Sequence, residues 1–125
     1  MRALVVDDST AIRSYLRKIL TPYGFEVLEA KNGREGLQQL REQSGIDLVL
    51  LDWNMPVMNG IDLLRLIRSE PNLSSVCVMM VTTENDLHEI SQALEMGANE
   101  YVMKPFTPDI IADKLTLLGF PVPVA

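Results

Sequence analysis

Ile46-Asp47-Leu48-Val49-Leu50-Leu51-Asp52 is an apolar run of strand length, broken once by Asp47 and ended by a second carboxylate. Its apolar residues are nearly continuous rather than alternating, the pattern of a strand covered on both faces, as in a parallel sheet. Working outward, similar Val-, Ile- and Leu-rich runs occupy residues 3–6, 25–28 and 76–81, with a weaker one at 101–103.

Helical spacing fills the intervals. Ile12, Tyr15, Leu16, Ile19 and Leu20 recur at steps of three and four; so do Leu37 and Leu40, then Leu63, Leu64 and Ile67, then Leu87, Ile90 and Leu94, then Ile111, Leu115 and Leu118. Each set puts an apolar stripe on one helix face. Pro22 and Gly24 stop the first helix, Asn32-Gly33 and Asn59-Gly60 read as turns after strands two and three, and Glu70-Pro71-Asn72 ends the third helix. Gly97 stands where a C-cap glycine is expected. Thr107-Pro108-Asp109 reads as an N-cap, a proline at the first helical position and an acid facing the helix dipole. The order is βα repeated five times, which predicts an α/β fold: a doubly wound parallel sheet with right-handed crossovers and helices on both faces.

Composition sets the outer limits. With 125 residues, 47% of them apolar and 22% charged, the chain makes one ordinary globular domain and needs no disulfide or structural metal to build its core. Its formal net charge of −6 argues against direct binding of nucleic acid or an anionic membrane. A lone Cys77 forms no internal disulfide, and within the run at 76–81 it reads as a small, buried hydrophobe, inert as a thiol. No apolar run is long enough for a membrane span, and Asp7-Asp8 come too early for a signal peptide, so a cytoplasmic location is expected. Residues 1–118 are taken as the domain and 119–125, with Pro121 and Pro123, as a short C-terminal tail.

Ligand sites in such sheets lie beyond the carboxyl ends of the strands, where strand order reverses. There strand one delivers Asp7 and Asp8, strand three Asp52, strand four Thr82-Thr83-Glu84, and strand five Lys104-Pro105. Three carboxylates gathered closely resist ionisation unless cations are near, and one lysine is too few. An all-oxygen donor set fits magnesium; the Cys and His ligands that zinc prefers are missing from it. With the charge balanced, one carboxylate becomes a nucleophile toward phosphorus, forming an acyl phosphate. Asp52 stands alone at the end of a buried strand and is the assigned nucleophile, with the adjacent Asp7 and Asp8 as the metal-holding pair. The alternative for any one acid is a helix cap, a role open to Asp8 ahead of Ser9-Thr10.

Over residues 3 to 118 the chain resembles the receiver domain of two-component response regulators, most closely the single-domain, CheY-like chemotaxis type. Asp7-Asp8, Asp52-Trp53-Asn54-Met55-Pro56 with Asn59-Gly60, Thr82 and Lys104-Pro105-Phe106 carry the likeness, at spacings of 30 from Asp52 to Thr82 and 22 from Thr82 to Lys104. The resemblance implies the flavodoxin-like strand order 2-1-3-4-5, for which CheY is itself a known example. It implies that Asp52 accepts a phosphoryl group from a sensor histidine kinase. Magnesium would be held by Asp7, Asp8, Asp52 and the backbone carbonyl of Asn54. Lys104 and Thr82 would bind the phosphate, and Tyr101 would be the aromatic switch. A cis Lys104–Pro105 bond is implied too. So is a changed surface on the fourth helix, fifth strand and fifth helix, read by a downstream effector such as a flagellar motor switch. Asn54 and Glu84 stand where the family tunes self-dephosphorylation, and both favour a short-lived signal. Thr83 departs from the alanine common there, and its bulk would slow access to the phosphate. The protein is then a monomeric signalling phosphoacceptor, not an enzyme acting on other substrates.

Other readings compete. A haloacid-dehalogenase-type phosphatase would want an acid at position 54, where Asn54 stands; nucleotide binding would want a glycine-rich phosphate loop, of which there is none. A phosphorelay intermediate, or a receiver cut from a larger regulator, fits the same core. His88 reads as an ordinary surface histidine. Met55 and Met58 either fill a gap beside the core or meet a partner, and Trp53 lies beside the acidic site.

Overall fold

The computed structural model describes residues 1–43, 45–83 and 87–121. Among them, five parallel strands form one sheet: β1 (Arg2–Val6), β2 (Glu26–Ala30), β3 (Leu48–Asp52), β4 (Cys77–Thr82) and β5 (Glu100–Met103). The sheet order is β2-β1-β3-β4-β5. Helices α1 (Thr10–Leu20), α2 (Gly33–Glu42), α3 (Gly60–Ser69), α4 (Leu87–Glu95) and α5 (Pro108–Leu117) alternate with the strands. The chain runs outward from β1 to β2, then back past β1 to β3, so strand order reverses between β1 and β3. This is the doubly wound, flavodoxin-like fold expected from the sequence.

Alternation along each strand divides the core into two layers. Ala3, Val5, Leu48, Leu50, Met79 and Val81 face Leu16, Ile19 and Leu20 of α1 and Ile111 and Leu115 of α5. Leu4, Val6, Val49, Leu51, Val78 and Met80 face Leu37 and Leu40 of α2, Leu63, Leu64 and Ile67 of α3, and Ala93 of α4. Every residue of β3 is buried, which explains its continuous apolar run. Full burial of each such Leu or Val stabilises the fold by roughly 1.5–3 kcal/mol relative to exposure.

Several local expectations are corrected. Asn32-Gly33 and Asn59-Gly60 are helix starts rather than free turns. The Asn32 side chain accepts from the Glu35 N–H at 2.9 Å, and Asn59 from the Asp62 N–H at 3.0 Å. Each asparagine thus supplies one of the acceptors that the first turn of a helix lacks. β2 begins at Glu26; Phe25, before it, is a core residue lying 5.4 Å from Phe120 between ring centroids. Ile46 and Asp47 precede β3, and the Asp47 carboxylate takes the Arg2 N–H at 3.0 Å. In α4, Ala93 is buried and Leu94 is 41% exposed, because Ile90 and Ala93, three apart, form the inward face. Tyr15 is also exposed, its ring stacked on Phe106 at 5.7 Å. Cys77 is only part-buried at the start of β4; burial still pushes its thiol above the ordinary pKa, against the opposing charge of Arg68.

Other signals stand as read. Thr107 caps α5 ahead of Pro108, its hydroxyl accepting from the Ile110 N–H. Gly97 adopts φ +110° just after α4, where its N–H bonds the Leu94 carbonyl at 3.1 Å. Beyond α5, Phe120 folds back toward Phe25, and residues 122–125 lie outside the described residues.

Gly60 sets the position of the loop after β3. A Cβ there would lie 2.2 Å from the Asp52 carbonyl oxygen, a backbone atom with no room to yield. The Gly60 N–H meanwhile bonds the Trp53 carbonyl at 2.9 Å, closing α3 onto the end of β3. Gly60→Ala is therefore expected to lose about 2 kcal/mol or more of stability in urea unfolding, within the usual range of overpacking costs or above it. An unchanged midpoint would show that the loop yields freely.

Candidate functional site

Side-chain alternation aims the site residues. Asp7 follows Val5 by two, and Asp52 follows Leu50 by two, so both carboxylates continue the face covered by α1 and α5. Lys104 follows Val102 by two and shares that face. Thr82 follows Met80 by two and belongs to the opposite face, as does Tyr101, which pairs with Met80 across the β4–β5 ladder. Thr82 pairs with Met103, so Thr82 and Tyr101 sit one pleat apart on the same side.

Lys104 bridges two acids. Its Nζ donates to Asp7 Oδ2 at 3.1 Å and to Asp52 Oδ1 at 3.2 Å. All three side chains are largely buried, so water screens these contacts far less than it would surface pairs. The Lys104 backbone N–H bonds the Thr82 carbonyl at 2.8 Å, tying the lysine to the end of β4. The Lys104–Pro105 peptide is cis.

Asp7, Asp8 and Asp52 each offer a carboxylate oxygen, and these oxygens lie within 4.8 Å of one another. Asp7 and Asp52 are buried and Asp8 is exposed. Charge is out of balance here. Burial and then the charge of Asp7 push the Asp52 carboxyl up to about 6, with Asp8 adding to them and Lys104 pulling the other way. Burial lowers the Lys104 ammonium, but its bonds and charge attraction to Asp7 and Asp52 prevail and hold it above the ordinary lysine pKa. One ammonium thus leaves the cluster short of positive charge. The donors are all oxygen, they converge, and Asp8 is open to solvent, so the residues present fit a hard divalent cation such as magnesium.

Two residues passed over in the sequence reading shape the cluster. The Ser9 N–H donates to Asp7 Oδ1 at 2.8 Å while its hydroxyl caps α1 by accepting from the Ile12 N–H. The cap that the sequence left open to Asp8 therefore belongs to Ser9, which frees Asp8. Arg13 donates to the Asp7 carbonyl at 2.6 Å and to Glu29 at 3.1 Å, fastening α1 to the ends of β1 and β2. Ser9 was legible as a cap type directly before a helix; Arg13 had no such signal.

The remaining candidates fall around this centre. Asn54 is exposed in the loop after β3, and Thr82 is buried. Tyr101 is part-buried at the rim of the α4-side layer. Trp53, Met55 and Met58, each partly buried, pack against the α2–α3–α4 layer. Val57 has φ +71° and is 75% exposed, with the Met58 N–H bonded to the Pro56 carbonyl at 2.7 Å. A β-branched residue held in that left-handed region stores backbone strain in the loop between β3 and α3. Thr83 is exposed and, with Ile12, Tyr15, Pro105 and Phe106, lines an apolar recess of about 280 Å³ against Lys104. His88 is exposed, and Glu84 lies outside the described residues.

Comparison with known proteins decides the family. The response regulator receiver domain family matches residues 3–116. The chain belongs to that family. The receiver domain is 40% identical to the chemotaxis protein CheY1 of Helicobacter pylori over 119 residues, which cover 94% of this chain and 96% of that one. Its fold superposes on the chemotaxis response regulator CheY4 of Vibrio cholerae with a TM-score of 0.87 and 31% identity, covering 94% and 97% of the two chains. It also superposes on the signal receiver domain of a histidine kinase from Syntrophus aciditrophicus, with a TM-score of 0.84 and 30% identity, covering 94% and 88%. The protein is a receiver domain of the CheY-type chemotaxis response regulators, a class of signalling protein.

The charge imbalance has a measurable consequence. Asp52 binds its proton more tightly in the folded receiver domain, at about 6, than at its ordinary value of 3.8. Its contribution to stability is therefore fully present below about pH 4 and is lost as pH rises through about 6. Without divalent cations, Asp52→Asn is expected to be more stable than wild type at about pH 7.5, by on the order of 2 kcal/mol, with the difference vanishing near pH 4. Urea unfolding in EDTA at the two pH values measures this; a variant no more stable than wild type at the higher pH contradicts the imbalance.

Proposed function

We propose that this receiver domain takes a phosphoryl group onto Asp52 from a phosphohistidine of a sensor histidine kinase and passes the signal on through a change of surface. The observation that carries the reading is the convergence of the Asp7, Asp8 and Asp52 oxygens within 4.8 Å, with Lys104 bonded to two of the three acids. In the transfer, an Asp52 carboxylate oxygen forms a bond to phosphorus while the phosphorus–nitrogen bond to the donor histidine breaks, leaving that imidazole free and an acyl phosphate on Asp52. Asp52 attacks as the carboxylate, the form that a carboxyl titrating at about 6 takes at neutral pH. Asp7, Asp8, Asp52 and the Asn54 carbonyl would hold a magnesium ion, which when bound supplies positive charge to the phosphoryl oxygens.

Lys104 then faces a choice of anions. It holds Asp7 and Asp52 at 3.1 and 3.2 Å before transfer, and the modified Asp52 carries about −2 of new charge in place of its own −1. The lysine and the Thr82 hydroxyl are drawn toward the phosphate oxygens. Thr82 and Tyr101 lie one pleat apart on one face of the sheet, so displacement of Thr82 opens space toward which the Tyr101 ring turns. The α4-β5-α5 surface changes with it, a population shift between two packings, and a downstream effector such as a flagellar motor switch reads the change. Asn54, exposed beside the site, and Glu84 would guide the water that later removes the phosphate, with exposed Thr83 restricting its approach. On this reading residues 1–118 are the working unit, 119–125 a tail, and the protein a cytoplasmic monomer whose only catalysis is its own phosphorylation and dephosphorylation. The likeness to a histidine kinase's receiver domain supports a second use of the same chemistry, as a relay within a larger pathway.

Incubation with magnesium and acetyl phosphate, followed by intact mass measurement, tests the assignment. One added phosphoryl group, removed by hydroxylamine and missing from Asp52→Asn, is expected. Its persistence in Asp52→Asn would reject the site. Lys104→Ala is expected to retain some uptake and to lose phosphorylation-dependent effector binding; full effector binding by that variant would reject the proposed coupling.

A further inference from the structure

Tyr101 is gripped from α5 by a part-buried ion pair that takes no part in the carboxylate site. Lys114 Nζ lies 3.0 Å from Glu100 Oε1 and 4.7 Å from the centre of the Tyr101 ring, over its face. The same Glu100 oxygen accepts the Tyr101 backbone N–H at 2.9 Å. The side chains of Lys114 and Glu100 are only 22% and 19% exposed, unlike an ordinary surface pair. The ammonium is thus held at two points, a carboxylate and an aromatic face, and the ring lies between the α4-side layer and Lys114.

Only a contact that differs between two states biases the balance between them. Glu100–Lys114 joins a strand residue to a helix residue and survives a turn of the Tyr101 ring. The ammonium-to-ring contact does not, because the attraction depends on the cation standing over the ring face. We infer that Lys114, fixed by Glu100, is a positioning residue that latches Tyr101 in its resting orientation and so sets how much of the unphosphorylated protein already occupies the signalling packing. This inference rests on Tyr101 being the switch. It adds a threshold to that switch: phosphorylation has to overcome the latch, and weakening the latch has to raise background signalling.

Fluorine NMR of protein labelled with fluorotyrosine reads the ring directly, since the chain holds three tyrosines, assignable through Tyr15→Phe and Tyr23→Phe. Lys114→Met keeps the length and apolar contact of the side chain and removes its charge. It is expected to move the resting Tyr101 signal toward its position in phosphorylated wild type, raising the ratio of turned to resting ring by roughly two- to five-fold. Linkage requires phosphorylation by acetyl phosphate to become more favourable, by up to the same factor. Lys114→Arg, whose guanidinium also pairs with carboxylates and stacks on rings, is expected to keep the wild-type position. If phosphorylation leaves the Tyr101 signal of wild type unmoved, the switch reading falls and the latch with it. If phosphorylation moves it but folded Lys114→Met rests where wild type rests, the latch alone is overturned.

Discussion

A single ammonium shared between two buried carboxylates holds the functional end of this molecule together. Lys104 reaches Asp7 at the end of β1 and Asp52 at the end of β3, having arrived there from β5 across the end of β4. Remove it and two buried anions face each other with no cation between them, the costly situation for buried charge. Keep it and the cluster is still short of positive charge, as the raised Asp52 carboxyl records. That residual imbalance makes the site receptive to a divalent cation and to a change of charge at Asp52. A fully neutralised site would be more stable and less responsive.

The sheet separates chemistry from its consequence. Asp7, Asp52 and Lys104 continue the α1–α5 face, whereas Thr82 and Tyr101 continue the face covered by α2, α3 and α4. The Lys104 N–H bonded to the Thr82 carbonyl is a direct mechanical tie between the two sets. On the proposed reading, movement of the lysine is felt at the end of β4, beside the pleat that carries Tyr101. The close approach of Gly60 to the Asp52 carbonyl keeps the third strand's end in a narrow range of positions. In a core packed this tightly such elements move between discrete arrangements rather than deforming smoothly.

Much of this was legible because it depends on periods of two and on chain direction. The continuous run ending in Asp52 marked a central parallel strand, and parallel strands necessarily bring their carboxyl ends, and hence Asp7, Asp8, Asp52, Thr82 and Lys104, to one rim. Helix caps were harder. Asn32 and Asn59 looked like turn residues because Asn-Gly favours turns, and only the structure shows each side chain accepting an N–H from the first turn of the helix that follows. Asp8 and Ser9 are both good capping types, and the choice between them was made by Asp7 taking the Ser9 N–H. Arg13 on the Asp7 carbonyl and Lys114 over Tyr101 were not legible at all, since a long cationic side chain reaches many neighbours and sequence spacing does not say which. In α4 the inward turn of Ala93 instead of Leu94 was likewise a matter of how the helix docks, beyond its own periodicity.

The central claim is that three gathered acids await a divalent cation. Magnesium titration near neutral pH, followed by calorimetry and by the emission of Trp53, the sole tryptophan, measures it directly. The account predicts saturable binding to wild type, weakened roughly tenfold or more by Asp8→Asn, because the exposed carboxylate is a ligand and not a cap. Wild type that binds no magnesium, or an Asp8→Asn variant that binds it as tightly, would contradict the account.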